Sequence, residues 1–182
     1  MSQGFERGWI VTFAGVGINL MLGVLYAYRV VKSAIEANIA AEGGFSWSVS
    51  QLNDPYAWAL WVFALVMVPA GLMLDKLGPR LTSTIGGFLV GAGFIVASTS
   101  SSLGVWILGF GILAGAGIGM AYASATPAAV KWFPASMTGL IAGLVVSGFG
   151  LASAYIAPLS TWMIGSMGIG RTMFWLGVGF LV

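Results

Sequence analysis

The chain has no cysteine and no histidine among its 182 residues. The first absence removes disulfides and thiolate chemistry, and the second removes the commonest metal ligand and the usual proton carrier near neutral pH. A Ser–His dyad and a zinc site are excluded, no pair of carboxylates stands within an apolar run, and the chain does not read as an enzyme. Charge is equally scarce. Seven Lys and Arg against five Asp and Glu make up 7% of the chain, where a water-soluble domain carries about a quarter. The pI of about 9.2 rests on so few groups that it reports topology bias and not a nucleic-acid surface. No cofactor, metal or nucleic-acid partner is expected.

What the chain does have is apolar length. A hydrophobic content of 59% and a mean hydropathy of +0.99 make the lipid bilayer its first expected partner. Residues 8–28 carry no charge, and about 20 apolar residues cross a hydrocarbon core of roughly 30 Å. Taken along the chain, uncharged runs and their breaks predict helices over about 8–36, 50–75, 81–99, 104–130, 137–157 and from 172 onward. The uncharged stretch 81–130 suits two spans, broken at the Ser-Thr-Ser-Ser-Ser run of 98–102. Lys131-Trp-Phe-Pro134 closes the fourth span, Pro158 lies just past the fifth, and Gly165 to Arg171 reads as an outer loop. As a helix, 172–182 would rise only about 16 Å, half a bilayer. The expectation is therefore an all-α polytopic bundle whose sixth helix is incomplete. The run after Glu6 and Arg7 is too long for a signal-peptide core and is expected to stay as the first span. With the N-terminus inside, Arg7, Lys76, Arg80 and Lys131 lie in the cytoplasm, against Arg29, Lys32 and Arg171 outside.

Residues 71–80 read Gly-Leu-Met-Leu-Asp-Lys-Leu-Gly-Pro-Arg, a polar hinge between two uncharged runs. This order resembles the loop between the second and third helices of major facilitator superfamily transporters: Gly, a Leu two on, Asp, a cation, then Gly and cations. Met73 and Leu74 are mild apolar changes, and Pro79 departs from the pattern. The run Gly-Ala-Gly-Ile-Gly-Met-Ala-Tyr ending at Tyr122, with Lys131-Trp-Phe-Pro134, Gly139-Leu140 and Gly23-Val-Leu-Tyr26, resembles the oxalate/formate antiporter family and its monocarboxylate transporter relatives. The resemblance implies the N-terminal six-helix half of a plasma or inner membrane transporter, N-terminus cytoplasmic, that works by alternating access. Its implied substrate is a small carboxylate of the lactate, pyruvate, formate or oxalate type, moved with a proton or a counter-anion. The resemblance also implies a C-terminal half that carries the fixed cation. Gly111 stands where many proton-coupled members have Arg, which argues against proton coupling through this half, and 135–138 lacks the family's cations, which weakens the cytoplasmic charge pattern. Export of a neutral or lipophilic compound, or a non-transporting receptor of the same fold, fits the same residues.

Candidate residues follow from pattern and resemblance together. Asn19, Gly23, Tyr26, Val30 and Ser33 form a mildly polar stripe on the first span, and such a stripe within a membrane faces a bundle interior or a wet cavity. Arg29 lies beside it, to attract an anion or to snorkel outward. Lys32 and Glu36 are spaced to pair. Asn53 and Tyr56 share a face, and Asp54 reads either as the one proton-site candidate or, before Pro55, as a helix cap. The resemblance places an aromatic substrate contact at Tyr122, whose hydroxyl can donate to a carboxylate, and turns Asn53 toward the cavity. The expected substrate contacts are thus Tyr122, Tyr26, Asn53 and Arg29. A cytoplasmic gate is expected from Asp75, accepting hydrogen bonds at a neighbouring helix N-terminus, with Arg80 or Lys131. Gly111, Gly115 and Gly119 on the fourth span form a packing seam of small residues, repeated more weakly by Ser83, Gly87 and Gly91 and by Gly139, Gly143 and Ser147.

Overall fold

A backbone placed in lipid must satisfy its own polar groups, and a chain this apolar does so by winding into helices. The computed structural model describes residues 2–182, with side chains from Glu6; Met1, where the stretch before the first span begins, lies outside the described residues. No strand occurs among them. The elements are α1 (Ser2–Leu22), a 3-10 turn (Gly23–Tyr26), α2 (Ala27–Ala40), a 3-10 turn (Gln51–Asn53) and α3 (Asp54–Ser98). After these come α4 (Leu103–Trp106), a π-wound segment (Ile107–Ala114), α5 (Gly115–Val130), a short 3-10 turn (Ala135–Met137), α6 (Thr138–Met167) and α7 (Ile169–Gly179). Four continuous helical stretches, residues 6–40, 51–98, 103–130 and 135–167, are long and apolar enough to cross a membrane.

The second stretch has 48 residues, about 72 Å at the helical rise, enough for two crossings. One residue divides it. Gly78 adopts φ 80° and ψ 167° inside α3, a conformation that glycine enters at little cost. The Thr82 hydroxyl donates to the Gly78 carbonyl at 2.9 Å on the far side of the break. The polar hinge read over ten residues is therefore a one-residue corner. Gly168, at φ 83° and ψ 170°, makes the same corner between α6 and α7.

Close glycine contacts give the directions of the spans. Gly111, Gly115 and Gly119 meet Trp58, Ala59 and Phe63 in ascending order, so the fourth span runs parallel to the second. Gly93 abuts Gly109 while Gly86 abuts Gly117, so it runs antiparallel to the third. Gly148 and Gly23 set the fifth span parallel to the first, and Gly170 beside Ser98 with Gly177 beside Gly91 sets α7 antiparallel to the third. The chain thus crosses up and down alternately, with the fourth span packed between the second and third. Trp106, Phe110 and Ile118 of that central helix are buried with Phe94 and Val90 of the third span.

Several expected boundaries differ. The fifth span, expected over 137–157, continues through Pro158 to Met167, because neighbouring groups in a helix bundle tolerate the carbonyl that an internal proline frees. The loop expected at 165–171 is only the Gly168 corner, and the last helix starts at Ile169 instead of Thr172. Asp54 is the first residue of α3 and not a cap; Asn53 holds the cap position and makes no side-chain capping bond. Of the weaker small-residue seams, Gly91 is closely packed, a Cβ built on it lying 2.8 Å from the Gly177 carbonyl oxygen, whereas Gly139 and Gly143 face open space and Gly87 has only a distant neighbour; Gly86, Gly93 and Gly148 make further close approaches. The Ser-rich break holds: α3 ends at Ser98 and α4 begins at Leu103. The loop between α2 and α3 is pinned over that turn by the Trp47 indole, which donates to the Ser101 carbonyl at 2.8 Å beside Trp106 donating to Ser100 at 2.9 Å.

Candidate functional site

Alternation of the spans sorts the candidate residues to two ends. Asp75 and Arg80 flank the Gly78 corner, and Lys131 closes α5 near Gly8, whose Cα faces Trp132 and Phe133. All three side chains are exposed. Among the described residues no ion pair joins them, so the expected gate residues share an end without being latched to one another. Arg29, Lys32 and Asn53 lie at the opposite end, where α2 finishes and α3 begins.

Between the ends runs an aromatic row. Tyr122 packs edge-on against Phe63 at 5.6 Å and Phe149 at 5.6 Å, and Phe149 packs edge-on against Tyr26 at 5.3 Å. Such edge-to-face pairs hold ring orientation beyond simple burial. Phe149 of α6 therefore connects the two tyrosines that the sequence singled out. Tyr26 closes the 3-10 turn Gly23–Tyr26, where α1 gives way to α2 and Gly23 presses against Ala152 and the Phe149 carbonyl. That contact leaves no room for a side chain, which accounts for glycine at this position.

Beyond Tyr26 the first and fifth spans line a cavity of about 780 Å³. Tyr26, Arg29, Val30 and Ser33 line one wall, and Ser153, Ala157, Thr161 and Gly165 line the other. The polar stripe of the first span thus faces a cavity at this end, whereas its inner part, Asn19 and Gly23, is packed against Gly148 and Ala152. A second cavity of about 380 Å³ adjoins it, lined by Tyr28, Arg29, Lys32, Ser33, Glu36, Asn53 and Tyr56. Arg29 belongs to both. Its guanidinium has no acidic partner among the described residues. Lys32 is differently placed: its Nζ donates to Asn53 Oδ1 at 2.9 Å and lies 3.8 Å from Glu36 Oε1.

Taken together, Tyr122, Tyr26, Arg29 and Asn53 lie along one path from the bundle interior to one end, with Phe149 and Arg29 as the joints. The path offers hydroxyls, an amide and one unpaired cation, a donor-rich set that suits a small anion. No group of three or more metal-ligating side chains gathers among the described residues.

The sequence profile of the Major Facilitator Superfamily matches residues 8–182. The chain belongs to that superfamily. It is a multi-pass membrane protein. It is 26% identical over 173 residues to the oxalate:formate antiporter of Oxalobacter formigenes, an alignment covering 95% of this chain and 40% of that one. It is 31% identical over 165 residues to monocarboxylate transporter 13 of Rattus norvegicus, covering 86% and 35%. With the uncharacterized MFS-type transporter YhjX of Escherichia coli (strain K12) it shares 25% identity over 175 residues, covering 96% and 42%. The chain therefore spans about two fifths of the length of these curated relatives.

Sequence reading missed Phe149, Phe63 and the far cavity wall. A signal for the wall was present, since Ser153, Ala157, Thr161 and Gly165 recur every four residues on one helix face. Gly111, the position at which the resemblance implies Arg in many proton-coupled members, is packed: a Cβ built there would lie 2.9 Å from Trp58 Cβ and 3.3 Å from the Pro55 carbonyl oxygen. A long cation at this position is incompatible with the seam between the second and fourth spans.

Proposed function

We propose that this chain is the N-terminal six-helix half of a secondary active transporter for small carboxylate anions, of the lactate, pyruvate, formate or oxalate type. The observation that carries the proposal is the path Tyr122–Tyr26–Arg29–Asn53, donor-rich and provided with one unpaired guanidinium, in a chain similar to an oxalate:formate antiporter and a monocarboxylate transporter. Tyr122, Tyr26, Asn53 and Arg29 contact the anion. A carboxylate leaving water needs cationic or donor groups to replace its hydration, and a single peripheral Arg is too little for that. The remaining cation is supplied by a C-terminal half, and the two halves rock about a midplane site in alternating access. The N-terminus is cytoplasmic, in the inner or plasma membrane, so Asp75, Arg80 and Lys131 form the cytoplasmic gate. Their exposed and unpaired arrangement supports a gate that is open in this state, since solvated pairs of this kind cost little to separate.

The test is counterflow of labelled oxalate or lactate in proteoliposomes holding the full transporter, with this half joined to its C-terminal half, the parent compared with Tyr122→Phe. Uptake driven by unlabelled carboxylate inside, and slowed several-fold by loss of the hydroxyl, supports the reading. No counterflow of either anion refutes it, and a fully active Tyr122→Phe removes that hydroxyl from the site.

A further inference from the structure

Asn53 differs from the tyrosine hydroxyls on the path because its acceptor and its donors sit on separate atoms, so turning the carboxamide over exchanges one for the other. Its main chain is fixed independently of its side chain. The Tyr28 hydroxyl, on a buried residue, donates to the Leu52 carbonyl at 2.7 Å and holds the turn Gln51–Asn53. The Asn53 amide N–H donates to the Ser50 carbonyl at 3.4 Å. Neither bond sets which way the carboxamide faces.

Lys32 does. Its Nζ is 2.9 Å from Asn53 Oδ1. An ammonium has donors and no acceptor, so the amide oxygen must face it, and the NH2 group is turned elsewhere. Asn53 lines the same 380 Å³ cavity as Arg29, Ser33 and Tyr56, and Lys32 and Glu36 line it as well. Glu36, 3.8 Å from Lys32 Nζ, offsets the ammonium charge, whereas Arg29 has no acidic partner among the described residues. With its oxygen taken by Lys32, what Asn53 has left to give a ligand in this cavity is its NH2 group, beside the unpaired Arg29 charge and the mutually offset Lys32 and Glu36.

We infer that Lys32 is a positioning residue that makes this outer cavity selective for anions, by holding the Asn53 amide oxygen away from the ligand. The inference rests on the proposed contact of Arg29 and Asn53 with a small carboxylate. Without Lys32 the carboxamide turns over freely, and its oxygen repels the carboxylate for part of the time.

The experiment is initial-rate uptake of labelled oxalate or lactate by the purified transporter in proteoliposomes, for the parent, Lys32→Leu, Lys32→Arg, Asn53→Ala and the Lys32→Leu/Asn53→Ala double variant. One hydrogen bond to a charged group corresponds to roughly a tenfold change in affinity. Lys32→Leu is expected to raise KM by that factor while the maximal rate holds, and Lys32→Arg, which keeps a donor within reach of Oδ1, is expected to restore the parental KM. Asn53→Ala raises KM equally, and the double variant raises it no further, because Lys32 acts through Asn53. An unchanged KM for Lys32→Leu overturns the inference. So do additive effects in the double variant, which would mean that Lys32 acts by charge alone. A parent that takes up neither anion overturns the transport reading and this inference with it, whereas an active parent with additive variants overturns the inference alone.

Discussion

The seam between the second and fourth spans is most severely tested at Gly115. A Cβ added there would lie 2.7 Å from the Ala59 carbonyl oxygen and 2.9 Å from Ala59 Cα, inside the 3.4 Å at which ordinary contact begins. Both neighbours are backbone atoms of a helix and have no rotamer by which to withdraw, so the helices themselves must separate. Inserting even one methyl group into a closed contact of this kind costs about 1–3 kcal/mol, and in lipid no hydrophobic force between helices offsets the lost packing. Gly139 supplies the control, since nothing lies within 4 Å of a Cβ built on it. Gly139→Ala is expected to be neutral or to gain up to about 1 kcal/mol from helix propensity. Unfolding of each purified variant in mixed micelles, followed by far-UV circular dichroism against the fraction of denaturing detergent, should place Gly115→Ala well below the parent and Gly139→Ala at or above it. Ala59→Gly should not rescue Gly115→Ala, because the collision is with the carbonyl and Cα and not with the Ala59 methyl. Equal midpoints for the two alanine variants would refute the seam as the element that holds the spans together.

Two further outcomes follow from single contacts. Tyr28→Phe leaves the Leu52 carbonyl without its donor and should cost about 1 kcal/mol of stability in the same unfolding assay, with the stacking of ring 28 on Tyr56 and Phe110 retained; an unshifted midpoint would mean that the turn at Gln51–Asn53 holds without Tyr28. Asp75→Asn removes the one acid beside the Gly78 corner and should slow transport while the protein still reaches the membrane in parental amounts, and an unchanged rate would exclude Asp75 from the gate.

How much of this was legible from residues alone depends on which property is asked about. Hydropathy and the shortage of charge determined that the chain spans a membrane as helices. The Gly-Pro corner with its three charges marked the division of a long apolar run, and the resemblance carried by residues 71–80 and by the Gly-rich run ending at Tyr122 led to the superfamily. These are one-dimensional properties, set by whether a stretch can leave water. Which face of each helix meets which neighbour is a different matter. A helix in lipid is apolar toward the bilayer and toward its partners, so the periodicity that orients a helix in a soluble protein is absent. Only the packed structure decided that Gly86 and Gly93 close the third span onto the fourth while Gly139 and Gly143 face open space. Only packing brought Phe149 between Tyr122 and Tyr26, or turned the Asn53 oxygen onto Lys32. Pro158 and the glycines around 168 looked like stop signals, yet the helix runs through the first and turns on a single residue at the second. Local chemistry permits a break at such residues, but the space available between neighbouring helices decides whether the break occurs.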